Sequence, residues 1–241
     1  MPQLDLTRNK ALDIKKTEEY YNAICTNIRF SGAHFKTIVL TSVQPNEGKS
    51  TTATSLAVSF ARSGFKTLLI DADTRNSTMS GTFRANGKIA GLTSYLSGNS
   101  ELLEVICDTN VENLSVIPTG PFPPNPTALL QNNNFKELLT NARSWYDYVI
   151  IDSPPIGKVI DAAIIAQQCD ASIVVIEAGE IKRKFITKAV DQMKQSGAQF
   201  LGVILNKVKQ TVDNYGSYGH YGDYGNYRKQ QESKVTKRAR K

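Results

Sequence analysis

Residues 37–65 read TIVLTSVQPNEGKSTTATSLAVSFARSGF, and the rest of the chain is organised around them. A short β-branched run, Thr37–Thr41, enters a turn that ends Gly48-Lys49-Ser50-Thr51, and a helical pattern follows over residues 50–63. Gly-Lys-Ser between a strand and a helix is the half of the phosphate-loop motif that meets the nucleotide. Glycine at position 48 lets the backbone come close, and successive N–H groups with the helix N-terminus attract phosphates. Lys49 reaches the β- and γ-phosphates as a point charge, and the Ser50 hydroxyl is the expected Mg²⁺ ligand. The candidate nucleotide-binding residues are therefore Asn46, Glu47, Gly48, Lys49, Ser50 and Thr51. The motif's first glycine falls at position 43, which is Val43.

Further along, short apolar runs alternate with helical patterns. Thr67–Asp71, Leu114–Ile117, Tyr148–Asp152, Ser172–Ile176 and Leu201–Leu205 read as strands, and 16–30, 134–144, 159–168 and 182–196 read as helices. Runs apolar on both faces suit a parallel sheet covered on both sides, so the expected fold is a doubly wound, mostly parallel α/β sheet of P-loop type. Residues 76–110 look shorter-ranged, and PFPPNPT (Pro121–Thr127) reads as a rigid loop that opens a helix. Two strands end in acid. TLLIDAD puts Asp71 and Asp73 at one carboxyl edge, and YVIID puts Asp152 at another. Ligands of open α/β sheets gather at those edges. Asp152 suits a Walker B role near Mg²⁺, and Asp71 and Asp73 supply two carboxylates near the metal, one able to accept a proton from an attacking hydroxyl. The plain alternative is that these aspartates cap helices and turns.

With 241 residues, 40% apolar and 21% charged, the chain is globular and carries no apolar run long enough to span a membrane. Nor does its start show the apolar core of a secretory signal. Cys25, Cys107 and Cys169 are scattered, without a CxxC, and read as reduced, buried thiols rather than zinc ligands. His34 and His220 are the only histidines, which gives serine or cysteine nucleophile chemistry no support. The net charge of +7 is concentrated: residues 228–241 hold seven basic residues against Glu232, leaving the rest near neutral. The basicity therefore belongs to a tail and does not argue for a nucleic-acid-binding fold.

That tail also carries half of the ten tyrosines. Tyr215, Tyr218, Tyr221, Tyr224 and Tyr227 recur every third residue, mostly followed by glycine. A period of three matches neither helix nor strand, so 208–241 reads as a flexible segment, and mobile segments are expected at both chain ends. Glycine flanks make each tyrosine presentable to a cleft, and phosphorylation would add about −1.5 to −2 charges per site. Five such sites would more than cancel the basic end. A tyrosine-glycine tail that stacks on single-stranded nucleic acid is the weaker alternative.

In the order Gly-Lys-Ser loop, TLLIDAD, YVIID and terminal tyrosine cluster, the chain resembles the bacterial tyrosine kinases of capsule and exopolysaccharide synthesis. It is most similar to the single-domain cytoplasmic kinases of streptococcal-type capsule systems. The resemblance spans about residues 16–227 and implies an ATP- and Mg²⁺-dependent tyrosine autokinase that regulates polysaccharide synthesis, export or chain length. It implies Lys49, Ser50 and Thr51 at the phosphates and metal, Asp71, Asp73 and Asp152 at the metal and attacking hydroxyl, and the five tail tyrosines as phosphorylation sites. Arg75 matches a position near the family's active site, and Asn206 resembles an adenine-side contact of the wider P-loop group. The implied organisation is an N-terminal segment with an oligomerisation helix (1–35), a kinase domain (36–207) and the tail (208–241). The implied partners are a transmembrane activator, neighbouring subunits in a homo-oligomer or ring, and a tyrosine phosphatase, with the kinase on the cytoplasmic side of the membrane. Two departures stand out. Asn46 replaces the glycine of PGEGKS, and Asn22 and Cys25 replace both arginines of the family's Glu-x-x-Arg-x-x-Arg helix motif after Glu19. The runner-up is a partition or septum-positioning switch ATPase. Such proteins carry a lysine four residues before the glycine equivalent to Gly48, where this chain has Gln44, and they lack a tyrosine repeat.

Overall fold

The strands form because each is a short run of β-branched and leucine side chains that fills the space on both sides of a sheet at once. In the computed structural model, which describes residues 2–208 except 33, 86 and 88, seven strands make the central sheet. They are β2 (Thr37–Ser42), β3 (Thr67–Asp71), β5 (Cys107–Asp108), β6 (Leu114–Ile117), β7 (Tyr148–Asp152), β8 (Ala171–Glu177) and β9 (Gln199–Asn206), in the order β5-β6-β3-β7-β2-β8-β9. All pairings are parallel except β5 with β6. The expected doubly wound fold is the observed one, and the strand holding the phosphate loop lies between β7 and β8.

Alternation sorts the side chains. Val39, Ile70, Val149, Ile151 and Val174 point to one face and Ile38, Leu69, Ile150, Ile173 and Val175 to the other. The first face is covered by α4 (Leu92–Leu96), α7 (Asn133–Trp145), α8 (Asp161–Ala166) and α9 (Arg183–Gln195), through residues such as Leu92, Phe135, Ile165 and Met193. The second is covered by α1 (Arg8–Lys16), α2 (Glu18–Ser31) and α3 (Lys49–Arg62), through Ile14, Cys25, Leu56 and Phe60. Between Lys49 and Arg62 the sequence carries no charge, and α3 is buried almost throughout because it is packed between the sheet and α2. Its small residues, Ala53, Ala57 and Ser59 among them, allow that double contact. Short helices α5 (Leu102–Val105) and α6 (Pro126–Leu130) complete the set, and α6 opens as the PFPPNPT reading requires. Pro126 begins the helix, and the Asn125 side chain accepts from Ala128 N at 3.2 Å.

The N-terminus corrects one expectation. Residues Leu4–Leu6 form a strand, β1, that pairs antiparallel with β4 (Phe83–Ala85). Leu4, Leu6 and Ile14 are buried, so this segment is packed rather than mobile. A three-residue strand gives too little alternation to read from sequence, and its partner lies some eighty residues away. On α2, Asn22 accepts a hydrogen bond from Ser59 and Cys25 is buried beside Leu56 of α3. The two positions that depart from the family's arginines thus face α3 of the same chain. All three cysteines are free and buried, and burial pushes the Cys25 and Cys107 thiols up to about 12 and about 11. No helix of the described residues is long and apolar enough to cross a membrane. The tyrosine cluster and basic end lie outside the described residues.

The α3–sheet contact is anchored by Phe60, fully buried and stacked on Tyr148 at 3.9 Å between ring centroids. Phe60→Ala removes that ring from a fully buried site, so it should cost about 3–5 kcal/mol in urea denaturation. A loss below about 1 kcal/mol would show that α3 is held by other contacts.

Candidate active site

The carboxyl ends of β2, β3, β7, β8 and β9 meet around the loop between β2 and α3. Gly48 caps α3 with φ +88°, a left-handed conformation, and a Cβ there would lie 2.1 Å from the Asn206 amide nitrogen. Two constraints therefore demand glycine at one position. Asn46 also has positive φ, 67°, which asparagine tolerates better than other non-glycine residues, so the loop keeps its shape without the family's glycine.

Side chains from the strand ends brace this loop. The Glu47 carboxylate turns inward, accepting from Gln44 N at 2.5 Å and Glu177 N at 3.2 Å. Asn206 donates its amide to the Glu47 carbonyl at 2.9 Å, and Lys207 Nζ donates to the Asn46 carbonyl at 2.7 Å and pairs with Glu177 at 2.8 Å. Neither Glu47 nor Asn206 lines the cleft in front of the loop. Both were expected at the nucleotide, and their side chains here hold the loop's shape. From the other side, the segment after β7 is pinned: Ile156 N donates to Ser42 O at 2.9 Å, and a Cβ on Gly157 would meet the Val43 carbonyl oxygen at 2.1 Å.

The cleft has a volume of about 520 Å³, and Asn46, Gly48, Lys49, Ser50, Thr51 and Asp73 are in its wall. Lys49 Nζ lies 2.8 Å from Asp73 Oδ2, 3.5 Å from Asp152 Oδ1 and 3.1 Å from Ser50 Oγ. Asp71 and Asp152 are aligned across β3 and β7. The structure thus brings Lys49, Ser50, Asp71, Asp73 and Asp152 together from three parts of the sequence. Burial opposes the charge of Lys49, but the carboxylates of Asp152, Asp73 and Asp71 outweigh it and hold the ammonium above its ordinary value. Burial, then the facing Asp152, raise Asp71 to about 7, although the Ser77 hydroxyl, donating to Asp71 Oδ2, works the other way. Asp152 is raised as well, first by burial, with Lys49 and Ser50 opposing.

Both Asp152 oxygens are buried and neither receives a hydrogen bond of ordinary geometry; Lys49 and the Ser50 hydroxyl only ease its charge from nearby. An orphaned buried carboxylate beside a serine hydroxyl suits a hard cation with oxygen ligands. Among the described residues, no group of three or more His, Cys, Asp or Glu side chains is arranged to hold a metal by itself. That agrees with a magnesium ion that takes one or two protein ligands and the rest from phosphates and water.

The partners of Arg75 went unseen in sequence. Arg75 grips Asp161 through two bonds, 2.6 and 3.2 Å, and Thr127 Oγ1 at 2.9 Å. Asp161 is fully buried, so the guanidinium at the cleft wall is held by a carboxylate that needs it. Residues 75, 127 and 161 share no local pattern, and only the fold joins them.

An AAA domain family profile matches residues 35–203. Tyrosine-protein kinase CpsD of Streptococcus agalactiae serotype III is 59% identical over 216 residues, covering 90% of this chain and 93% of that protein. The chain belongs to the bacterial tyrosine-protein kinases. Among solved structures, the kinase domain of the Escherichia coli tyrosine kinase ETK superposes with a TM-score of 0.77 at 32% identity, covering 84% of this chain and 80% of that one. The septum site-determining protein MinD of Pyrococcus horikoshii, in complex with Mg-ADP, gives a TM-score of 0.61 at 24% identity, covering 73% and 72%. That second likeness is one of fold alone, and the kinase reading prevails over the switch ATPase. In this kinase the phosphate loop, the carboxylate cluster and the brace from β9 form one unit.

The raised value of Asp71 makes a stability prediction. Its folded value lies near 7 against an ordinary 3.8, so the folded state prefers the protonated acid, and the group's contribution is lost as pH rises from about 4 through 7. Asp71→Asn should raise the stability of the nucleotide-free kinase at mildly alkaline pH by about 1–2 kcal/mol and flatten its decline across that window. Denaturation at a series of pH values checks this, and a variant less stable than wild type in alkali would contradict it.

Proposed function

We propose that the chain transfers the γ-phosphoryl group of ATP to the tyrosines of its own tail, Tyr215, Tyr218, Tyr221, Tyr224 and Tyr227, on a neighbouring subunit. The observation that carries this is Lys49, held 2.8 Å from Asp73 and 3.5 Å from Asp152 where the phosphate loop opens. Phosphoryl transfer asks for positioning and charge neutralisation more than for covalent catalysis. The loop N–H groups and the α3 N-terminus draw in the β- and γ-phosphates, and Lys49 reaches the phosphate oxygens while keeping its bond to Asp73. Ser50 and Asp152, with Asp71 close by, are the residues that would hold magnesium, which when bound would neutralise phosphate charge. The tyrosine oxygen then forms the new bond to the γ-phosphorus as the bond to the β–γ bridging oxygen breaks. ADP leaves, and the hydroxyl proton passes to Asp71. Asp73 keeps Lys49 aimed.

Tail phosphorylation would reverse the charge of the chain's basic end, an electrostatic switch that needs no refolding. The twenty residues from Lys207 to Tyr227 stretch to roughly 65 Å, enough for the chain's own cleft or a neighbour's, and the family resemblance favours the neighbour's. The family resemblance supports the rest of the reading: a transmembrane activator that holds the kinase at the inner face of the membrane, assembly into a homo-oligomer, a phosphatase that resets the tail, and control of capsular or exopolysaccharide synthesis. It also supports the division into an N-terminal oligomerisation segment, a kinase domain and a tail.

Intact-mass measurement after incubation with ATP and Mg²⁺, with and without the activator's cytoplasmic segment, tests the proposal. A ladder of up to five phosphates mapping to residues 215–227, absent in Lys49→Met, is the expected result. A tail left unmodified even with the activator, on protein that binds nucleotide, would overturn it.

A further inference from the structure

A cavity of about 370 Å³ opens between the segment after β7 and α9 and borders on the nucleotide cleft. Lys158 and Val159 line both. The cavity's polar wall holds Gln44, Lys158, Lys188 and Gln192, and its apolar wall holds Ile160 and Phe185. Ile160 is 50% exposed and Phe185 44%, so two large apolar side chains of one wall are open to solvent. Among the described residues, neither Lys158 nor Lys188 forms an ion pair. Residues 181–190 carry Lys182, Arg183, Lys184 and Lys188 without an acid, and Lys184 Nζ stands 5.0 Å from the Phe185 ring centroid. Neighbouring acids do not offset these charges. Asp161 is fully buried and bonded to Arg75, and Asp191 is not in the cavity wall.

Two unpaired ammonium groups favour an anion, and the exposed ring in the same wall favours an apolar body that carries it. A phosphotyrosine supplies both, with about −1.5 to −2 charges at the end of an aromatic ring. A lipid headgroup would satisfy the cations but leave the cavity behind them unfilled. The cavity's volume falls instead among small-ligand sites, roughly 300–1,000 Å³. Phosphotyrosine is also the product of a tyrosine kinase, and each chain carries five tyrosines within residues 215–227. They recur every third residue, or roughly 10 Å of extended backbone. A tail anchored by one phosphotyrosine at the shared border keeps its other tyrosines near the nucleotide cleft, which raises their effective concentration there. Even spacing then has a use, because whichever tyrosine is modified first, the next stands at the same distance.

We propose that this cavity binds a phosphotyrosine from the tail of a second copy of the chain, with the phosphate at Lys158 and Lys188 and the ring against Phe185 and Ile160. The inference rests on the reading of the tail as the kinase's own substrate. A tail that has accepted one phosphate binds the kinase more tightly than an unmodified tail, and its later phosphorylations gain from the first.

The test uses the full-length chain with phenylalanine at the five tail tyrosines and with saturating Mg-ADP, which keeps the nucleotide cleft occupied. The probe is a fluorescent peptide of residues 213–229 with Tyr221 phosphorylated, and anisotropy reports its binding. Lys188→Glu should weaken binding by roughly tenfold or more and Phe185→Ala by roughly threefold, while Lys188→Arg stays close to wild type. Both positions are exposed, so the fold tolerates the changes. The unmodified peptide should bind roughly tenfold more weakly than the phosphopeptide. Equal affinity for the two peptides, or phosphopeptide binding unchanged in both Lys188→Glu and Phe185→Ala, would overturn the site. Vesicles of anionic phospholipid that bind wild type but not Lys188→Glu, with no phosphopeptide affinity, would overturn it in favour of a membrane surface. In turnover with Mg-ATP, the singly phosphorylated peptide should have a KM several-fold below that of the unmodified one, an advantage that Lys188→Glu removes. Phosphopeptide binding by a chain that transfers no phosphate to tyrosine would sustain the cavity and count instead against the tail-kinase reading.

Discussion

Three buried carboxylates, Asp71, Asp73 and Asp152, gather around one ammonium, Lys49, and most of the remaining structure serves to keep them there. Counted as charges, the cluster is short of cations. Lys49 bonds Asp73, stands 3.5 Å from Asp152 and leaves both Asp152 oxygens without a hydrogen bond. A charge arrangement of this kind is costly in the free protein and finds relief when phosphates and a divalent cation arrive together. The raised values of Asp71 and Asp152 express the same cost in protons.

The fold holds that arrangement from behind. Parallel strands bring the ends of β2, β3 and β7 side by side, and the nearly uncharged α3 is pressed into the sheet by α2, fixing Lys49 at its first turn. Glu47, Asn206 and Lys207 tie the phosphate loop to β8 and β9, so the loop's shape depends on residues some 130 to 160 positions later. Arg75 and Asp161 do the same for the segment after β3. The short pairing of β1 with β4 stands beside a separate cleft that Asp71 also lines, where Leu4, Phe83 and Ala85 all reach the wall. The N-terminal segment is therefore part of the walls around the site.

Much of this could be read from the chain before folding. The six main strands have strong apolar runs, and Gly48-Lys49-Ser50, Asp71, Asp73 and Asp152 sit at their ends in a recognisable order. What stayed hidden has physical reasons. Glu47 belongs to the phosphate loop in sequence and in structure, but no local pattern shows that its carboxylate turns inward to backbone amides of Gln44 and Glu177. The strand Leu4–Leu6 is too short to alternate visibly, and its partner is remote. The Arg75–Thr127–Asp161 cluster joins three segments that only the tertiary fold brings near. Asn22 and Cys25 were noted as departures, yet that they face α3 depends on helix packing rather than on spacing alone.

A buried carboxylate cluster short of cations is built to receive nucleotide and magnesium together. The most direct measurement is thermal unfolding of the full chain with ADP, in magnesium and in chelator, for wild type and Asp152→Ala. Ligand that binds only the folded state raises its stability in proportion to affinity. Wild type should show a large upward shift in melting temperature with ADP and magnesium and a much smaller one in chelator, and Asp152→Ala should lose that difference. Equal stabilisation by ADP with and without magnesium in wild type would contradict it.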